Sequence, residues 1–412
     1  MKEVISKKDG DAIEKSQLTD DSHLTTLNLG PTHPATHGIF QNVLQMDGEI
    51  IVSSRPEAGY IHRAFEKLAE RRPYNQITPL TDRLNYCSSP INNMGWHMTV
   101  EKLINVKLPK RVEYMRIIIM ELSRIADHIV CNTVIGVDTG AMTGFLYVFQ
   151  WREKIYEIFE EICGARLTTN IGRIGGFERD FSQRAWDKIH EVVNGLPAGL
   201  KEWEALIMRN RIFMDRTINC GPITAEKAIA YGFTGPNLRA AGVDYDVRVM
   251  NPYSSYEDFD FIIPVGTQGD TFDRFMVREQ EMWESLSIIK QAIEKLNKLE
   301  DKTTFHADVP EFYLPDKEDT YNTMEGLIWH FKVVMGETDV PVGEVYHCVE
   351  GGNGELGFYL VSDGGRTPYR LHFRRPCFIY YQAYPEMIKG GLLSDAIVTM
   401  SSMNVIAGEL DA

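Results

Sequence analysis

The chain has 412 residues, with 43 Lys and Arg against 58 Asp and Glu and a formal charge of −15. So acidic a balance argues against nucleic acid or an anionic lipid surface as the main partner, because phosphate recognition rests on clustered cations. The length exceeds what one core usually supports and predicts a large domain with appended layers or two fused domains. No apolar run approaches the roughly twenty residues that span a bilayer.

Residues 1–22 lack an apolar signal core and carry too many acids for a mitochondrial transit peptide, so 1–23 reads as a flexible arm. From 24 to 61 the text is turn-rich. Alternating runs at Phe40–Met46 and Glu49–Val52, split by Asp47-Gly48, predict an N-terminal hairpin. Helical texture follows over 62–412. Helices are expected from Ile61 to Arg72, Asn85 to Ile104 and Pro109 to Ile135, the last carrying a stripe of Met115, Ile118, Leu122, Ile125 and Ile129. Gly136 to Gly140 reads as a break with Asp138 at its centre, and a second long helix, Phe145 to Cys163, is expected to return antiparallel to the first. Further helices are predicted at Ser182 to Asn194, Gly199 to Asn210 and Thr271 to Leu299, with Thr234 to Gly269 as an ordered loop around the bundle. A small β region at about 328–375 rests on three runs, Gly343 to Glu350, Leu356 to Ser362 and Tyr369 to Phe373, which imply a small antiparallel sheet. The fold class is α+β, mainly helical.

The six cysteines contain no CxxC, which predicts isolated reduced thiols and no thiolate metal motif. A phosphate-binding GxxxxGK[ST], an HExxH zinc motif and a GxSxG elbow are all missing. Gly172 to Gly176 lacks the strand-turn-helix spacing of a dinucleotide fingerprint, so this chain is not expected to bind NAD itself.

The most chemically suggestive segment is GPTHPATHG, residues 30–38. Its prolines and glycines forbid a helix, so His33 and His37 cannot share a helical face. Each is either a structural hydrogen-bonder or an acid-base group tuned near neutral pH. Asp138 is likewise either a helix cap or a carboxylate aimed at a site. Opposite His37 it would favour the imidazolium. Ile61 to Leu68 concentrates charge that a solvated face would explain. In Thr81 to Cys87, Arg83 precedes Tyr86, whose phenol can hydrogen-bond or donate a proton.

Together with IHRAFEKLAERR, PLTDRLNY, ELSRIADH, GVDTGA, GPNLRAAG, GDTFDR and GELGFYLVSDG, the histidine loop resembles the D-subunit family of respiratory NADH-quinone oxidoreductase, complex I, over nearly all of the chain from about residue 25. The resemblance implies a fold like the large subunit of nickel-iron hydrogenases. Hydrogenases hold nickel through two CxxC pairs. Here the matching segments read Arg83 to Ser88 and Asn404 to Glu409, without such a pair, so no metal is expected.

In that family the vacated metal site becomes the end of a quinone cavity, beside the terminal 4Fe-4S cluster of a neighbouring small subunit. His37 and Tyr86 match its headgroup-binding residues, and Asp138 the carboxylate paired with that histidine. Arg83 matches a position close to the cluster, its plainer role being an ion pair with Asp82. His33 either lines the cavity or braces the loop. The implied substrate is a quinone, menaquinone as a working choice, with FMN and NADH bound elsewhere in the complex. The implied partners are the iron-sulfur small subunit, other peripheral-arm subunits and the membrane-arm heel subunit. The implied location is the cytoplasmic side of a bacterial cytoplasmic membrane, held through those subunits. The alternative is a quinone-site scaffold in a related complex fed by ferredoxin or another donor. Three positions depart from the family pattern. Asn404 replaces an aspartate, Ala412 a terminal arginine, and Thr168 a histidine near the cluster.

Overall fold

The computed structural model describes residues 23–33, 36 and 38–412. His37 and all of the expected N-terminal arm except His23 lie outside the described residues. Strands β1 (Thr25–Leu29), β2 (Gln41–Asp47) and β3 (Ile50–Glu57) form an antiparallel sheet in that order. The Asp47-Gly48 turn joins β2 to β3, with Gly48 in the left-handed region at φ 59°. The hairpin is thus present, with a third strand added by the segment before the histidine loop.

The first helices depart from the expected spans for local reasons. Helix α1 covers only Phe65–Ala69, entered through a left-handed Ala64 and followed by Pro73. An unpredicted α2 (Tyr74–Thr81) holds Pro79 within it. Helix α3 begins at Ser89 and ends at Ile104. Its late start is set by Asn85, whose Oδ1 accepts the Cys87 N–H at 3.1 Å and closes a side-chain turn where a helix was expected.

Helix α4 (Lys110–Asp138) forms the spine and packs against α3, α5 (Met142–Cys163) and α11 (Thr271–Lys298). It runs through Gly136, and Thr139 Oγ1 closes its end by donating to the carbonyls of Ile135 and Gly136 at 3.0 and 2.9 Å. The two helices predicted over 182–210 are a single α6 (Gln183–Ile207). Its NGLPAG text reads as a breaker. Gly195 and Gly199, one turn apart, instead form a groove filled by the Trp151 ring of α5, where an added Cβ would come within 2.5 and 2.0 Å of that ring. Between β4 (Gly172–Arg173) and β5 (Gly176–Phe177), a short ribbon packs on the α3–α4 pair, where Arg116 meets Glu101 at 2.6 Å.

After α7 (Arg211–Thr217) and α8 (Ala225–Tyr231), the segment expected as a wrapping loop holds α9 (Gly235–Ala240), α10 (Val247–Met250) and a 3-10 turn at Tyr256–Asp258. Far from lying on the surface, it inserts Arg239, Asp246 and Arg248 into the interior. Helices α12 (Lys317–Asn322) and α13 (Met324–Met335) follow, so the β region expected from about 328 starts only at Gly343. Strands β6 (Gly343–Glu350), β7 (Glu355–Ser362) and β8 (Arg370–Arg374) pair antiparallel, within about a residue of their expected limits. They press on α3 so closely that a Cβ at Gly95 would meet Phe358 at 2.8 Å. Four last helices, α14 (Pro376–Tyr381), α15 (Tyr384–Ile388), α16 (Leu393–Met403) and α17 (Ala407–Asp411), build a second apolar cluster with the N-terminal sheet around Phe40, Leu44, Tyr381 and Met403. The chain is thus a helical bundle flanked by two small antiparallel sheets.

Candidate functional site

Where the second cluster meets the bundle, a cavity of 290 Å³ opens between Tyr86, Phe40, the last turns of α4, Leu167 and the end of α16. Its walls come from distant parts of the chain, and two of them are fixed by side-chain hydrogen bonds. Asn85 Nδ2 donates to Asp127 Oδ2 at 2.8 Å, and Asn92 Nδ2 donates to the Asn85 carbonyl at 2.9 Å. These bonds set the loop that carries Tyr86 and Cys87. Opposite, Ser89 Oγ and Asn93 Nδ2 donate to the carbonyls of Leu167 and Thr169, at 3.1 and 2.9 Å, and so hold Thr168 half-buried between them.

Tyr86 is half-buried at the cavity wall, and burial, with Cys87, Cys377 and Asp127 nearby, pushes its phenol well above the usual range. It therefore stays protonated as a donor. The two cavity thiols, Cys87 and Cys131, are also kept neutral. Burial lifts Cys131 to about 11 and Cys87 further, the latter with help from Asp127. Among the described residues no group of three or more His, Cys, Asp or Glu side chains is placed to hold a metal ion, and two neutral thiols do not fit the four thiolates of a nickel site.

Asp138 is the last helical residue of α4, exposed, and accepts a hydrogen bond from Ser401 Oγ of α16. A carboxylate at a helix C-terminus faces the negative end of the helix dipole, which does nothing for the helix. The cap is Thr139, so the reading of Asp138 as a cap gives way to a carboxylate tied to the cavity wall through Ser401. Arg83 is exposed and forms no salt bridge with Asp82 among the described residues, though its charge still acts on that carboxyl; Asp82 Oδ1 is buried without a partner, and burial raises this acid to about 6 against the pull of Asn93 and Arg83. The plainer role expected for Arg83 is therefore corrected. Of the histidine loop, Thr36 is fully buried and its Oγ1 donates to the carbonyls of His33 and Pro31, at 2.9 and 3.1 Å, while the His33 residue itself is exposed. The loop's closeness to the cavity is carried by Phe40.

Asn404, left-handed at φ 55°, directs Nδ2 to Asp127 Oδ1 at 3.1 Å and to Asn353 Oδ1 at 2.5 Å. Amide donors thus reach both oxygens of the buried Asp127, where an aspartate at 404 would set two carboxylates face to face. Asp411 turns back on residues 59–62, accepting the Gly59 and Ile61 N–H groups at 2.8 and 3.0 Å, while the Ala412 carbonyl accepts from Arg375.

Residue-level reading of the sequence missed Ser401, Arg152 and Cys131. It also missed that the face of α4 opposite its apolar stripe is not solvated. Glu121, Arg124, Asp127 and His128 are fully buried; Glu121 meets Arg248 of the 234–269 segment, Arg124 the Glu350 carbonyl and His128 Glu281, while Arg239 pairs in turn with Glu281 and Glu350. Burial keeps His128 neutral. Burial also opposes the charged form of Glu281, yet Arg239 and His128 hold that carboxyl well below its usual range. The density of charged residues in both segments was the available signal. A wider cleft of 670 Å³ over Arg248, Tyr256 and Phe261 shares no lining residue with the cavity, and its polar floor is already bound to Glu121 and Asp246.

With this geometry in place, the family profile described as "Respiratory-chain NADH dehydrogenase, 49 Kd subunit" matches residues 138–412. The chain belongs to this family. It is 74% identical over 393 residues to an NADH-quinone oxidoreductase D-subunit, the second of that name in Cytophaga hutchinsonii, in an alignment covering 95% of this chain and 100% of that protein. To the NADH-quinone oxidoreductase D-subunit of Flavobacterium johnsoniae it is 71% identical over 400 residues, covering 97% and 96%. To that of Leptospira biflexa it is 55% identical over 398 residues, covering 97% of each. As a member of the 49 kDa family, related to the hydrogenase large subunit, the chain is one component of an oxidoreductase complex and its partners are the other subunits. Among the described residues no helix is long and apolar enough to cross a membrane.

Proposed function

We propose that the 290 Å³ cavity is the end of the quinone path in a proton-translocating NADH-quinone oxidoreductase, and that this chain forms its headgroup site in the peripheral arm. The observation that carries this reading is the convergence on one cavity of the protonated Tyr86 phenol and of Ser401, which bonds Asp138. Reducing a quinone takes two electrons and two protons, and hydrogen-bond donors at its carbonyl oxygens both orient the ring and stabilise the developing charge. In this reading the electrons come from the 4Fe-4S cluster of the neighbouring small subunit, with Arg83 on the side facing that cluster. NADH and FMN act elsewhere in the complex. Tyr86 and His37 bind the headgroup, His33 braces the loop it shares with His37, and Asp138 responds to the change in local charge. Menaquinone is the proposed substrate class. Attachment is to the cytoplasmic face of a bacterial cytoplasmic membrane, through the heel and other subunits. Tyr321, Met324, Leu327 and Phe331 at α12 and α13 are left exposed, which suits a chain whose neighbours are other subunits.

Tyr86→Phe tests the reading in the intact complex. Quinone reduction falls while NADH oxidation by a water-soluble artificial acceptor is retained. Equal loss of both activities indicates failed assembly, and loss of neither removes the phenol from the reaction.

A further inference from the structure

The cavity contains a cation that the fold does not neutralise. Arg152, on α5, lines it beside Tyr86 and Cys87. The large fully buried guanidinium groups elsewhere are met by carboxylates or by carbonyl and amide oxygens: Arg116 by Glu101, Arg124 and Arg248 by Glu121, Arg239 by Glu281 and Glu350, Arg274 by the carbonyls of Gly221 and Gly269, and Arg278 by the Arg274 carbonyl and Asn237 Oδ1. Arg152 has no such partner among the described residues; its Nε–H is buried without an acceptor, as are those of Arg116 and Arg239, but those two are bound through their terminal nitrogens and Arg152 is not. The adjacent carboxylate, Glu153, is taken by Arg166. Arg152 is held instead by ring faces, its Cζ lying 4.7 Å from the centroid of Phe149 and 4.3 Å from that of Tyr156. Clamping between aromatic faces fixes a planar guanidinium in orientation without using its donors. One turn further along the same helix, the Tyr156 hydroxyl is also buried and unpartnered.

A guanidinium at a cavity wall whose charge meets neither carboxylate nor carbonyl is placed to bind a group that arrives from outside the chain. We propose that Arg152 binds the quinone oxygen on which negative charge develops during reduction, as a cation that holds this charge without giving up a proton. This rests on the reading of the cavity as the quinone site and adds a ligand to it. The quinone gains two electrons, supplied through the complex as NADH is oxidised to NAD⁺, and two protons from titratable donors or water, and leaves as quinol. Arginine stays protonated throughout, so Arg152 contributes an N–H···O bond and no proton. The division of labour is chemical: Tyr86 can donate a proton, and Arg152 can only stabilise.

The test compares Arg152→Gln, Arg152→Lys and Tyr86→Phe in the intact complex. Quinone reduction is measured with a short-chain quinone, and NADH oxidation with a water-soluble artificial acceptor in the same preparation. For Arg152→Gln, kcat with quinone falls on the order of ten- to a hundredfold, the size of effect seen when a charge-stabilising donor is lost, with the artificial-acceptor rate unchanged. Arg152→Lys restores part of kcat but raises KM, because it keeps the charge and loses the planar fork. Wild-type quinone kinetics in Arg152→Gln alongside an impaired Tyr86→Phe overturn this inference and leave the cavity assignment standing. Unimpaired kinetics in both overturn the two together. Parallel loss of both activities in Arg152→Gln overturns the inference by showing that Arg152 holds the assembly.

Discussion

Ser401 Oγ donates to Asp138 Oδ2, joining the end of the central helix to the helix that forms the back of the cavity across 263 residues of sequence. Because Asp138 is exposed, the bond contributes little to stability, roughly 1 kcal/mol or less. Its larger effect is on where the carboxylate points. Ser401→Ala is expected to slow quinone reduction severalfold while leaving thermal stability and artificial-acceptor activity near wild type, with Ser401→Thr restoring the rate. Unchanged quinone kinetics in Ser401→Ala would remove Asp138 orientation from the mechanism.

A steric prediction follows from the continuous α6. Alanine has a better helix propensity than glycine by about 1 kcal/mol. At Gly199 this gain is outweighed, because the new Cβ would lie 2.0 Å from Trp151 Nε1. Gly199→Ala is expected to lower stability by about 1–3 kcal/mol, the usual range for overpacking. Thermal inactivation of the complex measures this, and adding Trp151→Phe should recover part of the loss. A stabilised Gly199→Ala would show that the groove is not tightly filled.

Glu409 gives a pH dependence with a definite sign. Burial, with Asp127 nearby, raises its carboxyl to about 7 against a reference of 4.5, despite hydrogen bonding from Cys377. The native state therefore holds this proton more tightly than the unfolded chain. Its contribution is fully present below about pH 4.5 and is lost as pH rises towards 7, a change of about 3 kcal/mol over that window. Glu409→Gln keeps an acceptor for the Cys377 N–H and removes the titration. The variant should melt higher than wild type at pH 8, with the difference shrinking by pH 5. A constant difference across that range would show that Glu409 titrates near its ordinary value.

Thr168 sits between Leu167 of the cavity wall and the buried Thr169, at the position where the family resemblance implies a histidine. Threonine cannot couple cluster reduction to proton uptake, since it does not titrate. The neighbouring cluster is expected to show a low midpoint potential with shallow pH dependence, and Thr168→His to raise and steepen it. A steep pH-dependent midpoint in the wild-type complex would refute this.

Periodicity made much of the bundle legible. The apolar stripe of α4 and the turn-bounded runs of β6 to β8 come from short-range patterns, which a single sequence displays directly. It failed at particular points. Helix α3, enclosed on every side from Ser89 to Glu101, is still legible to its end at Ile104, and only its start is misplaced, by the Asn85 turn. In α6 the breaker signal of Gly195, Pro197 and Gly199 was overruled by a tryptophan from another helix. The charged residues of α4 give no sign of their burial, because the partners of Glu121 and His128 on other elements, Arg248 and Glu281, lie more than a hundred positions away.

The sequence by itself determined the helical texture, the two β regions, the family and the identity of Tyr86, Asp138 and the histidine loop as site residues to test. Only the tertiary structure decided that Tyr86, Arg152 and Ser401 share one cavity, that Arg83 does not pair with Asp82, and that Asp127 is held by amides from both ends of the chain. The physical reason is range. Backbone preferences and amphipathic periods are set by neighbours a few residues apart, whereas a cavity and its charge balance depend on which distant side chains close packing brings into contact.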